Sequence, residues 1–278
     1  MNLVSLRLTQ PPSTEMGSEI TRVMMPDCLA EAVSDYSWQE IFTGCSTARV
    51  FRLWKSGGSC LYLKTAHHGP DRLLLQEKLR LEWLQGQLPV PHLEMFVEDN
   101  NCDYLLLSAI PGTVASDDAY KANVPKLIRQ LSTGLRMIHA LPIDRCPFDA
   151  NLPAIIELAR ERVVNGLVDE SDFDESRLGR TASDLFAELL ESVPDDEDLV
   201  FAHGDYCLPN IVLQDWRLSG FIDWGRAGVA DRYQDIALIA RSIESNFGSE
   251  WVRVLFEACG TEPDHAKVHF YTLLDEFF

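Results

Sequence analysis

Leu127, Ile128, Leu131, Leu135 and Ile138 recur at helical spacing, which predicts a helix from Pro125 to about His139 with that face turned inward. His139 then reads as a cap or a core-edge residue. The same periodicity places helices over 153–166, 181–192, 233–246 and 264–277, and a helical segment through Leu84. Arg49 to Trp54 and Cys60 to Lys64 read as strands joined by the turn Lys55-Ser56-Gly57-Gly58-Ser59, and Tyr104 to Leu107 as a third strand. Leu199 to Ala202 and Ile211 to Leu213 are short apolar runs of the buried-strand kind, and Leu218 to Ile222 pairs back as a hairpin that ends at Asp223. Pro11-Pro12-Ser13 and Met24-Met25-Pro26 break the first 34 residues, which read as a loosely ordered lead-in.

Between the buried strands lies the polar run His203-Gly204-Asp205-Tyr206-Cys207-Leu208-Pro209-Asn210, followed by Phe221-Ile222-Asp223-Trp224-Gly225-Arg226. Transfer of a γ-phosphoryl group needs a carboxylate beside the attacking hydroxyl and oxygen ligands that hold Mg²⁺ against the nucleotide phosphates. The protein-kinase patterns H-R-D-x-x-x-x-N and D-F-G supply both, and here the letters are H-G-D-x-x-x-x-N and I-D-W-G. Asp205 takes the place of the base, and Asn210 and Asp223 those of the metal ligands. One amide and one carboxylate suffice for Mg²⁺, whose shell is completed by nucleotide and water. Taken singly, each piece is ordinary turn chemistry; the joint spacing within a strand context favours catalysis. His203 reads as a brace for the loop, and Cys207 as a packing residue.

Composition narrows the partner. Among 278 residues, 43 Asp and Glu against 24 Lys and Arg give a net charge of −19, which repels nucleic acid and anionic membranes and attracts cations. Two clusters, Asp169, Glu170, Asp172, Asp174 and Glu175, then Asp195 to Asp198, either face a cationic ligand or meet only water. The cysteines at 28, 45, 60, 102, 146, 207 and 259 form no C-x-x-C pair, so neither a disulfide framework nor a zinc site is indicated. With no membrane-length apolar stretch and no signal-peptide core at Met1 to Arg7, a cytoplasmic location is expected.

On the two motifs, on Gly228 to Leu238 and on Leu273 to Phe278, the chain from about residue 40 onward resembles the aminoglycoside phosphotransferases, closest to the aminoglycoside 3′-phosphotransferases. The resemblance implies an α+β, protein-kinase-like bilobal fold. Its small β-rich nucleotide lobe would span 35–110, with a hinge at 108–112, and its larger, mainly helical lobe 111–278. It also implies ATP with Mg²⁺, and transfer to the 3′-hydroxyl of a polycationic antibiotic, conferring resistance.

Carried over by position, Lys64 reaches the α- and β-phosphates and is held by Glu77, Tyr62 lies on the adenine face, and the backbone at Ser108 and Ile110 hydrogen-bonds adenine. In Thr43 to Ala48, which has one glycine where protein kinases have several, Ser46 contacts phosphate. On the acceptor side the resemblance implies Arg241, Asp275, Glu276 and the terminal carboxylate of Phe278, beside Asp205. Arg226 either neutralises phosphate charge or braces Asp205, and Asp231 holds its loop. Ser245 and Asn246 are neutral where some relatives are acidic, leaving the drug range open.

Two rivals share the catalytic letters: a kinase of the choline or homoserine type, and a non-catalytic module that senses a cation. A protein kinase fits less well, because Gly204 replaces the arginine of H-R-D and no A-P-E segment follows Asp223.

Overall fold

The structure is a computed structural model that describes residues 25–41, 48–58 and 60–278. Helix α1 (Asp27–Ala32) precedes strands β1 (Ser37–Ile41), β2 (Arg49–Trp54) and β3 (Cys60–His67), then helix α2 (Leu73–Leu84), β4 (Leu93–Glu98) and β5 (Cys102–Ser108). The strands form one antiparallel sheet in the order β1-β2-β3-β5-β4.

Alternation along the strands gives this sheet two different faces. Leu61, Leu63, Phe51, Leu53, Tyr104 and Leu106 cluster on one face with Leu29 and Val33. Leu105, Leu107 and Ala66 share the opposite core with Leu74, Leu81 and Leu84 of α2. Tyr62 and Lys64, two residues apart on β3, alternate with Leu61 and Leu63 and therefore face away from the α1 side. Of the lead-in expected over 1–34, residues 1–24 lie outside the described residues, while its last part carries α1, which packs on this sheet. Leu29 and Val33, four residues apart, are 0% and 2% exposed, and their burial stabilises the sheet's outer face by roughly 1.5–3 kcal/mol each.

The rest of the chain is mainly helical: β6 (Thr113–Val114), α3 (Val124–His139), α4 (Leu152–Val164), α5 (Ala182–Glu191), β7 (Leu199–Ala202), β8 (Ile211–Gln214), β9 (Arg217–Phe221), β10 (Gly228–Asp231), α6 (Tyr233–Phe247), α7 (Glu250–Cys259) and α8 (His265–Asp275). Side-chain caps start the expected helices: Asn123 accepts from Lys126 N at 3.0 Å, Asn151 from Ala154 N at 3.1 Å, and Thr181 from Asp184 N at 3.1 Å. Strand β8 pairs with β9 as the expected hairpin and with β6, while β7 pairs with β10.

Gly134 lets α3 approach the polar run. A Cβ there would lie 2.6 Å from the Tyr206 hydroxyl oxygen and 2.9 Å from the Phe221 ring. Tyr206 itself donates to the Leu131 carbonyl at 2.7 Å. The core that begins under α2 continues through Leu131, Tyr206, Phe221 and Trp224 to Phe270 and Phe277, so sheet and helices share it. No described helix is long and apolar enough to cross a membrane.

Candidate active site

The turn after β7 is built by a carboxylate from another element. Asp235, fully buried in the first turn of α6, accepts the backbone amides of His203 and Gly204, each at 2.9 Å, and meets His139 Nε2 at 3.0 Å. Gly204 adopts φ 82°, and a Cβ there would fall 2.2 Å from the Arg226 carbonyl oxygen, so the position admits only glycine without displacement. The His203 ring lies 4.3 Å from that of buried Trp224. Its Nδ1 accepts the Asp205 amide at 3.3 Å, which assigns the proton to Nε2, the donor to the Ile222 carbonyl at 3.0 Å. Burial holds the ring's pKa below its ordinary value. His203 thus ties the two motifs together, as the brace expected from sequence.

On this base sits Asp205. The Asn210 side-chain amide donates to the Asp205 carbonyl at 3.0 Å and to its Oδ2 at 2.8 Å, fixing the carboxylate from five residues on. Asn210 Nδ2 is thereby committed, leaving its carbonyl oxygen as the atom able to meet a cation. Burial raises the Asp205 carboxyl above its ordinary value; Arg226 opposes this, and Asp275 and Asp223 add to it. Cys207 is inert here, its thiol pushed well up by burial and by Asp205.

Lys64 Nζ donates to both Glu77 oxygens at 2.8 Å and to Asp223 Oδ1 at 3.0 Å. This joins β3, α2 and the turn after β9 across 159 residues of sequence. Burial works against the ammonium, yet Asp223 and Glu77 hold its pKa above the usual value. Lys64 in turn keeps the Asp223 carboxyl below its usual range. Asp223 takes a left-handed φ of 69° and is 52% exposed, so its second oxygen faces open space. The Ile222 amide donates to the Asn210 carbonyl at 2.9 Å, which sets the two candidate metal ligands side by side.

Tyr62 is half-buried on the same face of β3 as Lys64. At the end of β5 the Ser108 amide is spent on the His92 carbonyl at 3.0 Å, whereas the Ile110 amide has no hydrogen-bond partner among the described residues. Ser46 lies outside the described residues.

The acidic chain end is paired with arginines. Arg226 donates to Asp275 Oδ1 at 2.6 Å, Arg241 binds the other oxygen of Asp275, and Arg177 donates to Glu276 at 2.7 Å. Asp174 belongs to the same network, accepting from Arg177 at 3.1 Å and from Arg241 at 3.4 Å. The two arginines keep the Asp275 carboxyl low against the effect of burial, while burial and Asp174 push Glu276 up to about 7. Arg226 spans the site, close to Asp205 as well as Asp275, and its buried Nε–H lacks a hydrogen-bond partner among the described residues. Its guanidinium also lies 5.0 Å from the centre of the Phe278 ring.

Other acids do structural work. Glu170 accepts the Ala182 amide, Glu197 accepts the Leu152 amide, and Asp196 and Asp198 pair with Lys267 and Arg232. Asp231, fully buried, accepts from the Asp198 and Tyr233 amides and from Lys267, so it holds its loop. Among the described residues, His68, Glu98 and Asp103 stand close enough together to hold a metal, but Arg72 donates to both acids there and supplies the positive charge.

Sequence reading missed Asp235 and Arg177. Asp235 stands in a helix's first turn, where an acid ordinarily complements the helix dipole, so its two partners on the catalytic turn were not foreshadowed. Arg177 is the first base after the acidic run 169–175, a position that itself signals a local ion pair.

Comparison with known proteins places this geometry. The model of the phosphotransferase enzyme family matches residues 38–271. The aminoglycoside 3′-phosphotransferase of Niallia circulans is 41% identical over 237 residues, covering 84% of this chain and 90% of the relative. That of Streptomyces fradiae is 39% identical, covering 87% and 96%. Among solved structures, an aminoglycoside-3′-phosphotransferase of type VIII superposes with a TM-score of 0.81 at 36% identity, covering 91% of this chain and 97% of that one. A Streptomyces rimosus aminoglycoside phosphotransferase in complex with ADP and streptomycin gives 0.76 at 27% identity, covering 90% and 95%.

Proposed function

The chain belongs to the phosphotransferase enzyme family, and from that premise we propose that it transfers the γ-phosphoryl group of ATP to the 3′-hydroxyl of an aminoglycoside, conferring resistance. The observation that carries this reading is that two hydrogen-bonded groups, Asn210 with Asp205 and Lys64 with Glu77 and Asp223, are brought side by side by the backbone bond from Ile222 to Asn210. ATP lies between the sheet and the helices, with the division between lobes near 108–112. Adenine meets the Ser108 carbonyl, the Ile110 amide and the Tyr62 ring, and Lys64, oriented by Glu77, meets the phosphates. Ser46 belongs to the loop over those phosphates.

The donor set fits Mg²⁺. The Asn210 side-chain oxygen Oδ1 and the second Asp223 oxygen are hard ligands, few in number, as a nucleotide-bound Mg²⁺ requires. Held there, the ion supplies positive charge beside the nucleotide phosphates. Asp205, aimed by Asn210, accepts the proton of the attacking hydroxyl. Burial raises its pKa, which makes it a better base than an exposed aspartate, and Arg226 opposes that rise. Arg226 offers its uncommitted N–H to negative charge that develops nearby. Positioning and charge neutralisation provide most of the acceleration.

On the acceptor side, the proposal assigns Arg241, Asp275, Glu276 and Phe278 with Asp205. Ammonium groups of the antibiotic compete with Arg226, Arg241 and Arg177 for these carboxylates, which suits a polycation better than a singly charged alcohol. A cytoplasmic location, where ATP is supplied, accords with the reading. The test is incubation with ATP, Mg²⁺ and, separately, kanamycin, streptomycin and choline, followed by mass spectrometry and NMR of the product. Phosphate on the kanamycin 3′-oxygen is the expected result; phosphocholine instead would transfer the site to the choline-kinase class.

A further inference from the structure

Arg162, on α4, is only 15% exposed, and three separate parts of the molecule meet at its guanidinium. Its Nε donates to the Phe277 carbonyl and its Nη2 to the Leu167 carbonyl at 3.1 Å, while Nη1 pairs with Asp71. The guanidinium carbon also lies 5.6 Å from the centre of the Phe278 ring, the ring that Arg226 approaches at 5.0 Å.

Asp71 belongs mechanically to the sheet. It stands between β3, which carries Lys64, and α2, which carries Glu77. Its neighbour Arg72 is pinned to β5 by two bonds to Asp103, at 2.8 and 2.9 Å, and to β4 by one to Glu98 at 2.6 Å. Phe277 and Phe278, at the other end, directly follow Asp275 and Glu276, the acids held by Arg226, Arg241 and Arg177. A planar fork with several donors in fixed directions is what serving these partners at once requires, and lysine lacks it.

We infer that Arg162 is a positioning residue for the acceptor: it fixes the 275–278 segment, and its pair with Asp71 makes that placement depend on where the nucleotide-binding sheet sits over the helices. The inference rests on the proposed acceptor role of Asp275 and Glu276. Arg162 touches neither the reacting hydroxyl nor the phosphates. It acts through the backbone at Phe277, so its loss changes acceptor binding before it changes chemistry.

The test compares wild-type full-length protein with Asp71→Asn, Arg162→Lys and Arg162→Gln, each shown to be folded by its melting curve. Kanamycin KM is expected to rise about tenfold in Arg162→Gln and about threefold in Asp71→Asn, with kcat and ATP KM within about twofold of wild type. Arg162→Lys should match Arg162→Gln more closely than wild type, because one ammonium cannot replace the fork. Adding Asp71→Asn to Arg162→Gln should give no further rise. Hydrogen exchange at the amides of 275–278 should be faster in both Asp71→Asn and Arg162→Gln. An unchanged kanamycin KM in folded Arg162→Gln overturns the inference, as does an equal rise in both substrates' KM. An Asp71→Asn variant indistinguishable from wild type overturns the dependence on the sheet. Should wild-type protein phosphorylate no aminoglycoside, the functional proposal falls instead, and exchange at 275–278 alone decides the role of Arg162: faster supports it, unchanged overturns it.

Discussion

Asn210 donates its side-chain amide to Asp205 Oδ2 at 2.8 Å, so in the proposed mechanism one residue would both aim the base and present its Oδ1 to metal. Asn210→Ala removes both functions. A fall in kcat of about 10²–10³ is expected, together with a higher Mg²⁺ requirement, measured by magnesium titration at saturating ATP. Asp223→Asn should raise the Mg²⁺ requirement as well, because it takes away the anionic ligand. A variant in either position with wild-type magnesium dependence would remove that residue from the metal site.

The pH profile should report Asp205. Its carboxyl is raised by burial, so the acid limb of kcat/KM, where activity grows as the base ionises, is expected above the usual aspartate range. Arg226 opposes that shift. Arg226→Gln should therefore move the limb to higher pH as well as lowering the rate, and a limb that stays in place or moves down would separate Arg226 from the base.

Asp235 should be felt in both stability and rate. Asp235→Asn weakens the charge-assisted bonds to the His203 and Gly204 amides, and the NH2 that replaces one carboxylate oxygen must oppose one of these two N–H groups. A loss of about 2–3 kcal/mol in unfolding free energy is expected. Displacing the turn that carries Asp205 is expected to lower kcat about 100-fold. Denaturant unfolding and steady-state kinetics on the same sample check the two together.

Much of this arrangement was legible in the chain because its signals are local. The apolar face of α3 and the polar letters between β7 and β9 need no partner to be read, and the hairpin pairing follows from two short runs. Helix α7 was missed although Trp251, Val252, Leu255 and Phe256 sit at helical spacing. Gly248, at φ 110°, ends α6 and makes the stretch beyond it resemble a loop. Strands β1 and β4 are edges of the sheet, half-buried and carrying charged residues, so their alternation is weak. Asp235 and Arg162 act on residues far away in sequence, and nothing beside them reveals those partners. For the same reason Asp275 and Glu276 could be read as candidate acids of the site without their pairing to Arg226, Arg241 and Arg177 being visible.

Glu276 links stability to pH. Its carboxyl is raised from an ordinary 4.5 to about 7 in the folded protein, by burial and by Asp174. The folded state therefore binds more protons than the unfolded chain between these values, and stability falls as pH rises across that window. Glu276→Gln cannot titrate, so its unfolding free energy should decline less steeply from pH 4.5 to 7. Equal slopes in the two proteins would show that Glu276 ionises normally.

The most direct measurement is phosphoryl transfer by purified Asp205→Asn, read by mass spectrometry of kanamycin incubated with ATP and Mg²⁺ beside the wild type. Wild-type protein should convert the antibiotic to a product carrying one added phosphoryl group. The variant, with an unchanged melting temperature, should leave it unmodified on the same timescale. Phosphorylated kanamycin formed by Asp205→Asn at the wild-type rate would contradict the assignment of Asp205 as the base.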